Sequence, residues 1–235
     1  MKALIKLTTK RIYPLILACL LFGLTASTFG VSGKPSEVSY VDGAGHRLTY
    51  SFTTGSNGHL VVNYWDGFSW RWADQGVPSG TSAVWNPSAV TYLSGSSQQI
   101  YVFGASNTGH LVVNYWDGSS WRWADQGLPP GASAVWNPSA VTYLRGSTQL
   151  IYVFAESHGQ PNNGHLVLNY WDGSSWRWAD QGVPSGASAV LYPSTISFSS
   201  NGSQLIYAFA QSGEGHLVVN YWDGLSWRWA DQGSR

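Results

Sequence analysis

A single cysteine, Cys19, and the initiating methionine are all the sulfur the sequence contains. Cys19 lies in an apolar run near the start, so a chain that sheds this run has no thiol. That leaves no disulfide framework and no cysteine-bound metal. Charge is sparse as well, at 10% of residues. Four of the twelve basic residues, Lys2, Lys6, Lys10 and Arg11, precede the apolar run, whereas all twelve acidic residues follow it. The rest of the chain therefore carries about −4 at neutral pH. That sign argues against nucleic acid as a partner, because phosphates demand a basic face. No stretch beyond the first thirty residues shows a helical period, and no cofactor is implied.

Glycine and aromatic residues are abundant, with 27 glycines, 14 tryptophans and 15% aromatics. Disordered chains have few aromatics and much charge, so this composition describes a packed, turn-rich β protein. The first thirty residues stand apart. Four basic residues, an apolar run from Ile12 to Leu24 and small residues from Thr25 to Gly33 follow the order of a secretory signal peptide. The run is shorter than the ~20 apolar residues of a membrane span. Apolar Leu20 to Leu24 follow Cys19, where a lipid-anchored chain would turn polar, so no stable membrane anchor remains after cleavage. The expected layout is a signal peptide and short linker over 1–30 and one domain over 31–235. The expected location is extracellular, with the periplasm as the alternative.

The segment from His110 to Gly127 reads HLVVNYWDGSSWRWADQG, and near-copies begin at His59, His165 and His216. The Gly-His-Leu triplet starts at Gly58, Gly109, Gly164 and Gly215, with spacings of 51, 55 and 51. The four extra residues lie between Ser157 and Gly164. Pro35-Ser36, Pro87-Ser88, Pro138-Ser139 and Pro193-Ser194 repeat upstream. Four units follow, at about 35–86, 87–137, 138–192 and 193–235. Each reads as four strands. In the second unit these are SAVTYL, QIYVFG, HLVVNYW and WRWADQG, separated by Gly, Ser, Asn and Pro. Four antiparallel strands every ~50 residues describe a propeller blade. The expected fold is all-β, a β-propeller of four four-stranded blades closed on itself. The alternative is part of a larger ring completed by a homo-oligomer.

Asp117-Gly118 marks a tight hairpin turn. Trp116 then faces Trp121, and Tyr115 faces Arg122. Tyr64 with Arg71, Tyr170 with Arg177 and Tyr221 with Arg228 repeat that pair, and a guanidinium on a ring would latch blade to blade. On the other face His110 is diagonal to Asp125. His59, His165 and His216 have the same relation to Asp74, Asp180 and Asp231. A clasp that satisfies both groups is one reading of these histidines. One repeated histidine per unit offers no metal site.

Trp85-Asn86 and Trp136-Asn137 fall in the long segments between units, where Leu191-Tyr192 is the next equivalent. An aromatic ring beside an amide suits a sugar, since the ring covers the C–H face and the amide bonds hydroxyls. Strand alternation puts these residues on one face of the disc with His59, His110, His165, His216, Asp74, Asp125, Gln75 and Gln126. Those residues form the candidate glycan site. Catalysis fits less well. Glycoside hydrolysis needs two differently tuned carboxylates, and eight of the twelve acids are copies of one another. No catalytic residue is assigned.

The order Gly-x-Leu, Trp-Asp-Gly, Trp-rich strand and Gly, at about fifty residues per unit, resembles the bacterial fucose-binding propeller lectins of the Photorhabdus type. It is more loosely similar to tachylectin-2-like and tectonin propellers. The resemblance covers all four units and implies several metal-independent sugar sites in grooves between blades, with fucose as the favoured sugar and glycoconjugates as partners. A protein-binding or surface-structural propeller is the alternative reading. The signal reading predicts a mature protein that begins between Ser27 and Lys34 and has no free thiol. Intact-mass measurement of the secreted form checks this, and a retained, lipid-bearing Cys19 would contradict it.

Overall fold

The computed structural model describes residues 30–200 and 202–234. The expected signal peptide and Cys19 lie outside the described residues. Among the described residues sixteen strands form four antiparallel sheets of four, each in simple chain order. Blade 1 comprises β1 (Val31–Val41), β2 (Arg47–Gly55), β3 (Leu60–Trp65) and β4 (Trp70–Gly76). Blade 2 comprises β5 (Val84–Ser94), β6 (Ser97–Ser106), β7 (Leu111–Trp116) and β8 (Trp121–Gly127). Blade 3 comprises β9 (Ala134–Arg145), β10 (Thr148–His158), β11 (Leu166–Trp171) and β12 (Trp176–Gly182). Blade 4 comprises β13 (Val190–Ser200), β14 (Ser203–Ser212), β15 (Leu217–Trp222) and β16 (Trp227–Asp231). The architecture is that of a β-propeller.

The outer hairpins have the register that their alternation requires. Trp116 pairs with Trp121 and Tyr115 with Arg122, and the other three blades repeat this. The inner strands depart from the sequence reading. They begin at Val84, Ala134 and Val190, ahead of the Pro-Ser anchors. Trp85-Asn86, Trp136-Asn137 and Leu191-Tyr192 therefore lie within β5, β9 and β13, and not in inter-blade loops. Proline offers no N–H to the ladder, so pairing lapses at a bulge there and resumes beyond it. Asn86, Asn137 and Tyr192 absorb the bulge at φ of 52°, 51° and 55°. Asparagine tolerates that left-handed region better than most residues.

Blades meet through a repeated set of contacts. The inner strands pack in succession, β1 on β5, β5 on β9 and β9 on β13. Ser36, Ser88 and Ser139 accept hydrogen bonds from the amides of Ala89, Ala140 and Thr195 at 2.9, 2.9 and 3.0 Å. Phe52, Phe103 and Phe154 are fully buried, each with its ring edge-on to the next blade's Trp121, Trp176 or Trp227 at 5.9, 5.6 and 5.4 Å. The indoles of Trp123, Trp178 and Trp229 donate to the carbonyls of Gln75, Gln126 and Gln181 at 2.9, 3.0 and 2.9 Å. These groups latch the blades. Each arginine sits opposite its tyrosine, as the register requires, and also pairs with an aspartate of its own turn. Arg71 and Arg228 donate to Asp66 and Asp223 at 2.6 Å, and Arg122 and Arg177 donate to Asp117 and Asp172. The Asp-Gly turn places its carboxylate beside the guanidinium of the same hairpin, so the charge is satisfied locally.

The Gly-His-Leu glycine has a defined task. Gly58, Gly109 and Gly164 adopt φ of 83°, 84° and 76°. Their carbonyls accept from Val84, Val135 and Val190 of the next blade at 2.9, 2.8 and 2.7 Å. A Cβ at these positions would lie 2.8, 2.8 and 2.6 Å from the Cβ of Ala83, Ala134 or Ala189. At Gly215, on blade 4, the nearest such atom is Gln211 Nε2 at 4.0 Å.

That difference reflects an open arc. β13 and β1 do not pack together as the other inner strands do, so the four blades do not close on themselves as expected. Where blade 2 offers Ala89, Ile100 and Val102 to its neighbour, blade 1 offers the more polar Glu37, Thr49 and Ser51. Gly109→Ala is expected to combine the left-handed penalty of ~1–2 kcal/mol with displacement of the next blade, whereas Gly215→Ala incurs the first cost alone. Denaturant midpoints of the two variants compare them directly, and equal losses would contradict the close approach.

Candidate functional site

The sequence-derived site residues divide into two groups. The histidines form the expected diagonal pairs. Nδ1 of His59, His110, His165 and His216 lies 2.9, 2.8, 2.9 and 2.8 Å from the carboxylates of Asp74, Asp125, Asp180 and Asp231. Each aspartate also accepts from the amide two residues on, at Gly76, Gly127, Gly182 and Gly233, at 2.7 Å. In blade 4 the His216 ring holds the Asp231 carboxyl below its usual range. These pairs tie the start of the third strand to the end of the fourth, at the rim of each blade.

Trp85, Asn86, Trp136 and Asn137 sit elsewhere, on the inner strands. One strand, β6 or β10, lies between them and the strand that begins beside the histidine, about 10 Å across the sheet. Trp85 and Trp136 stack on each other at 6.3 Å. Asn86 donates to Asn137 at 2.7 Å, and Asn137 donates to Glu156. Asn86, Trp136, Asn137, Glu156, His158, Leu191 and Tyr192 line an open cavity of about 600 Å³. It includes none of the His–Asp pairs. Glu156 is buried. Desolvation pushes its carboxyl above the ordinary range despite the Asn137 amide, and Glu156 Oε2 and His158 Nε2 are buried without hydrogen-bond partners.

A second cavity, of about 300 Å³, lies between blades 2 and 3. Tyr92, Tyr101, Tyr115 and Gln126 of blade 2 face Ile151, Trp171 and Trp176 of blade 3 across it. Three cross-strand tyrosines form its wall, with Tyr101 stacked on Tyr92 at 6.0 Å and on Tyr115 at 5.6 Å. Burial and then the neighbouring Tyr92 push the Tyr101 phenol well up. It therefore remains a neutral hydroxyl that donates or accepts. The same residue types recur at the other two junctions. Tyr40, Tyr50, Tyr64 and Gln75 stand opposite Trp116 and Trp121, and Tyr143, Tyr152, Tyr170 and Gln181 stand opposite Trp222 and Trp227. Of these tyrosines only Tyr64, Tyr115 and Tyr170 stood out in the sequence, as structural partners of arginine. The signal for the others is the recurrence of tyrosine at matching places on three adjacent strands.

Among the described residues no group of three or more His, Cys, Asp or Glu is placed to hold a metal ion. Among them, too, no helix is long and apolar enough to cross a membrane.

No protein-family model matches the chain, and no curated protein matches it. Solved structures do. The SapL1 lectin in complex with alpha methyl fucoside aligns at 16% identity and a TM-score of 0.57, over 85% of this chain and 63% of that one. AofleA from Arthrobotrys oligospora aligns at 17% identity and a TM-score of 0.64, over 86% of this chain and 56% of that one. The present chain thus spans less than two thirds of either. The six-bladed β-propeller lectin of Aleuria aurantia aligns at 17% identity and a TM-score of 0.44, over 88% of this chain and 80% of that one. The first two likenesses show a shared fold.

Glu156 supplies a pH test. A buried acid with a raised pKa binds its proton more tightly when folded, so stability falls as pH rises from the unfolded value through the folded one. Glu156→Gln removes that loss. The variant is expected to melt higher than the parent at pH 7, with the difference vanishing below pH 4. Parallel melting curves across pH check this, and a constant difference would contradict it.

Proposed function

We propose that this protein is a secreted lectin that binds a neutral monosaccharide, fucose by preference, in the grooves between its blades. The observation that carries the proposal is the cavity walled by Tyr92, Tyr101, Tyr115, Trp171 and Trp176. Aromatic rings cover the apolar face of a sugar, while phenols and the Gln126 amide bond its hydroxyls. The volume falls at the small end of ligand pockets. A shared fold with a lectin solved with alpha methyl fucoside favours the same sugar class.

Three junctions of one composition make three similar sites. Each is weak, with a dissociation constant of ~10⁻⁵–10⁻³ M, because a monosaccharide offers few atoms. On a glycan-coated surface their combination strengthens binding by ~10²–10⁴. No metal takes part. Hydrolysis is disfavoured because the repeated aspartates are engaged with histidine or arginine within their own hairpins.

The inner-strand cavity supports a second reading. It combines Trp136 with the Asn86–Asn137 amides and the unpartnered Glu156 oxygen. Calorimetry with α-methyl fucoside separates the two. The groove reading expects three sites in each unassociated chain, unaffected by chelator, and two in Trp171→Ala with the fold intact by circular dichroism. The double variant Trp85→Ala, Trp136→Ala is expected to keep all three. Loss of binding in that variant, with Trp171→Ala unchanged, would move the site to the inner strands.

A further inference from the structure

The two ends of the arc are the two halves of one junction. Each internal junction joins a leading face, which carries phenylalanine and leucine, to a trailing face, which carries tryptophans. Val38, Val90 and Val141 on the leading faces are 8%, 7% and 8% exposed, but their blade 4 equivalent, Ile196, is 48% exposed. Leu60, Leu111 and Leu166 are 1%, 0% and 0% exposed, whereas Leu217 is 50% exposed. Phe209 stands where Phe52, Phe103 and Phe154 meet a tryptophan. On the trailing face of blade 1, Trp70 stands where Trp121, Trp176 and Trp227 meet a phenylalanine, and it is 55% exposed.

We propose that one copy docks the open face of its blade 4 onto the open face of blade 1 of a second copy, which repeats the internal junction between molecules. The occupant is a second copy because the chain already contains this interface three times, and its two halves are left over at opposite ends. Such a contact is heterologous, so it closes a ring or extends a chain of molecules. A tail-to-tail contact would instead set phenylalanine and leucine against themselves and leave Trp70 in water.

The inner half of the new junction is more polar, since blade 1 brings Glu37, Thr49 and Ser51. The third internal junction shows that polar residues fit there. Thr195 stands at the position of Glu37 and meets Ser139 at 2.9 Å, and Ser197 donates across to Thr142 at 2.7 Å. Ser51 donates to Glu37 at 3.2 Å, so these groups arrive partly satisfied. The contact is therefore reversible and concentration-dependent.

The same docking would assemble a further groove, with Tyr207 and Tyr221 from one copy and Trp65 and Trp70 from the other. That consequence rests on the groove reading above, whereas the association itself does not. Light scattering and sedimentation of the mature protein, from nanomolar to ~100 µM, are expected to show rising mass, to two chains or more. A tail variant, Ile196→Glu with Leu217→Glu, and a head variant, Trp70→Glu, should each remain monomeric. Neither touches an internal groove, so retained fucoside binding or an unchanged circular dichroism spectrum reports folding. An equimolar mixture should regain a two-chain species, because one intact tail meets one intact head. A wild type that stays monomeric throughout would overturn the proposal. So would a mixture that fails to recover, or loss of association in the tail variant alone.

Discussion

The contact on which this structure depends is the edge of a tryptophan ring set against a phenylalanine of the preceding blade. A single four-stranded sheet cannot hide both of its faces. Here each blade has apolar residues on both, and only a neighbour can cover them. Burying Phe103 or Phe154 together with the adjoining leucine and valine removes far more apolar surface from water than any polar contact in the chain stabilises. The serine and indole hydrogen bonds that cross the junctions then fix alignment. They hold neighbouring sheets at one offset, so the tyrosine wall of one blade always confronts the tryptophans of the next.

That division of labour explains how much could be read from the sequence. The repeat, the four strands per unit and the hairpin register were all legible, because period-two alternation and an Asp-Gly turn are local signals. The diagonal of His110 with Asp125 followed from the same register. Trp85 and Trp136 were assigned to loops because Pro87 and Pro138 read as breaks, although a bulge carries the strand past them. The aspartate partner of Arg122 was missed because Asp117 was read only as a turn residue. Grooves between blades were expected from the resemblance, but most of the residues that wall them were not singled out, for another reason. Their walls draw on strands of two blades, and nothing local says which residues share a junction. Closure was illegible as well, since each junction is set locally but the total turn of the arc is a sum over all of them.

Charge follows the same logic as packing. Asp66, Asp117, Asp172 and Asp223 each secure a turn and an arginine within one hairpin. The Ser119 hydroxyl, the Ser120 amide and Arg122 hold the Asp117 carboxyl far below its ordinary range. Asp172 is held likewise by Arg177, the Ser175 amide and the Ser174 hydroxyl. Each hairpin is thus electrically complete before it meets another blade. This leaves the junctions to neutral aromatic groups.

The near-identity of the outer hairpins also bears on how the chain finds its fold. The pairs β3–β4, β7–β8, β11–β12 and β15–β16 are almost interchangeable, so each could add to the wrong pair of inner strands. Composition distinguishes them little. Proximity does the sorting, because every strand pairs with its immediate neighbour in sequence, and closing a short loop is faster than closing a long one. During synthesis the inner strands of a blade emerge just before the hairpin that belongs to them. The simple order of strands in each sheet is therefore also what keeps four near-copies from exchanging places.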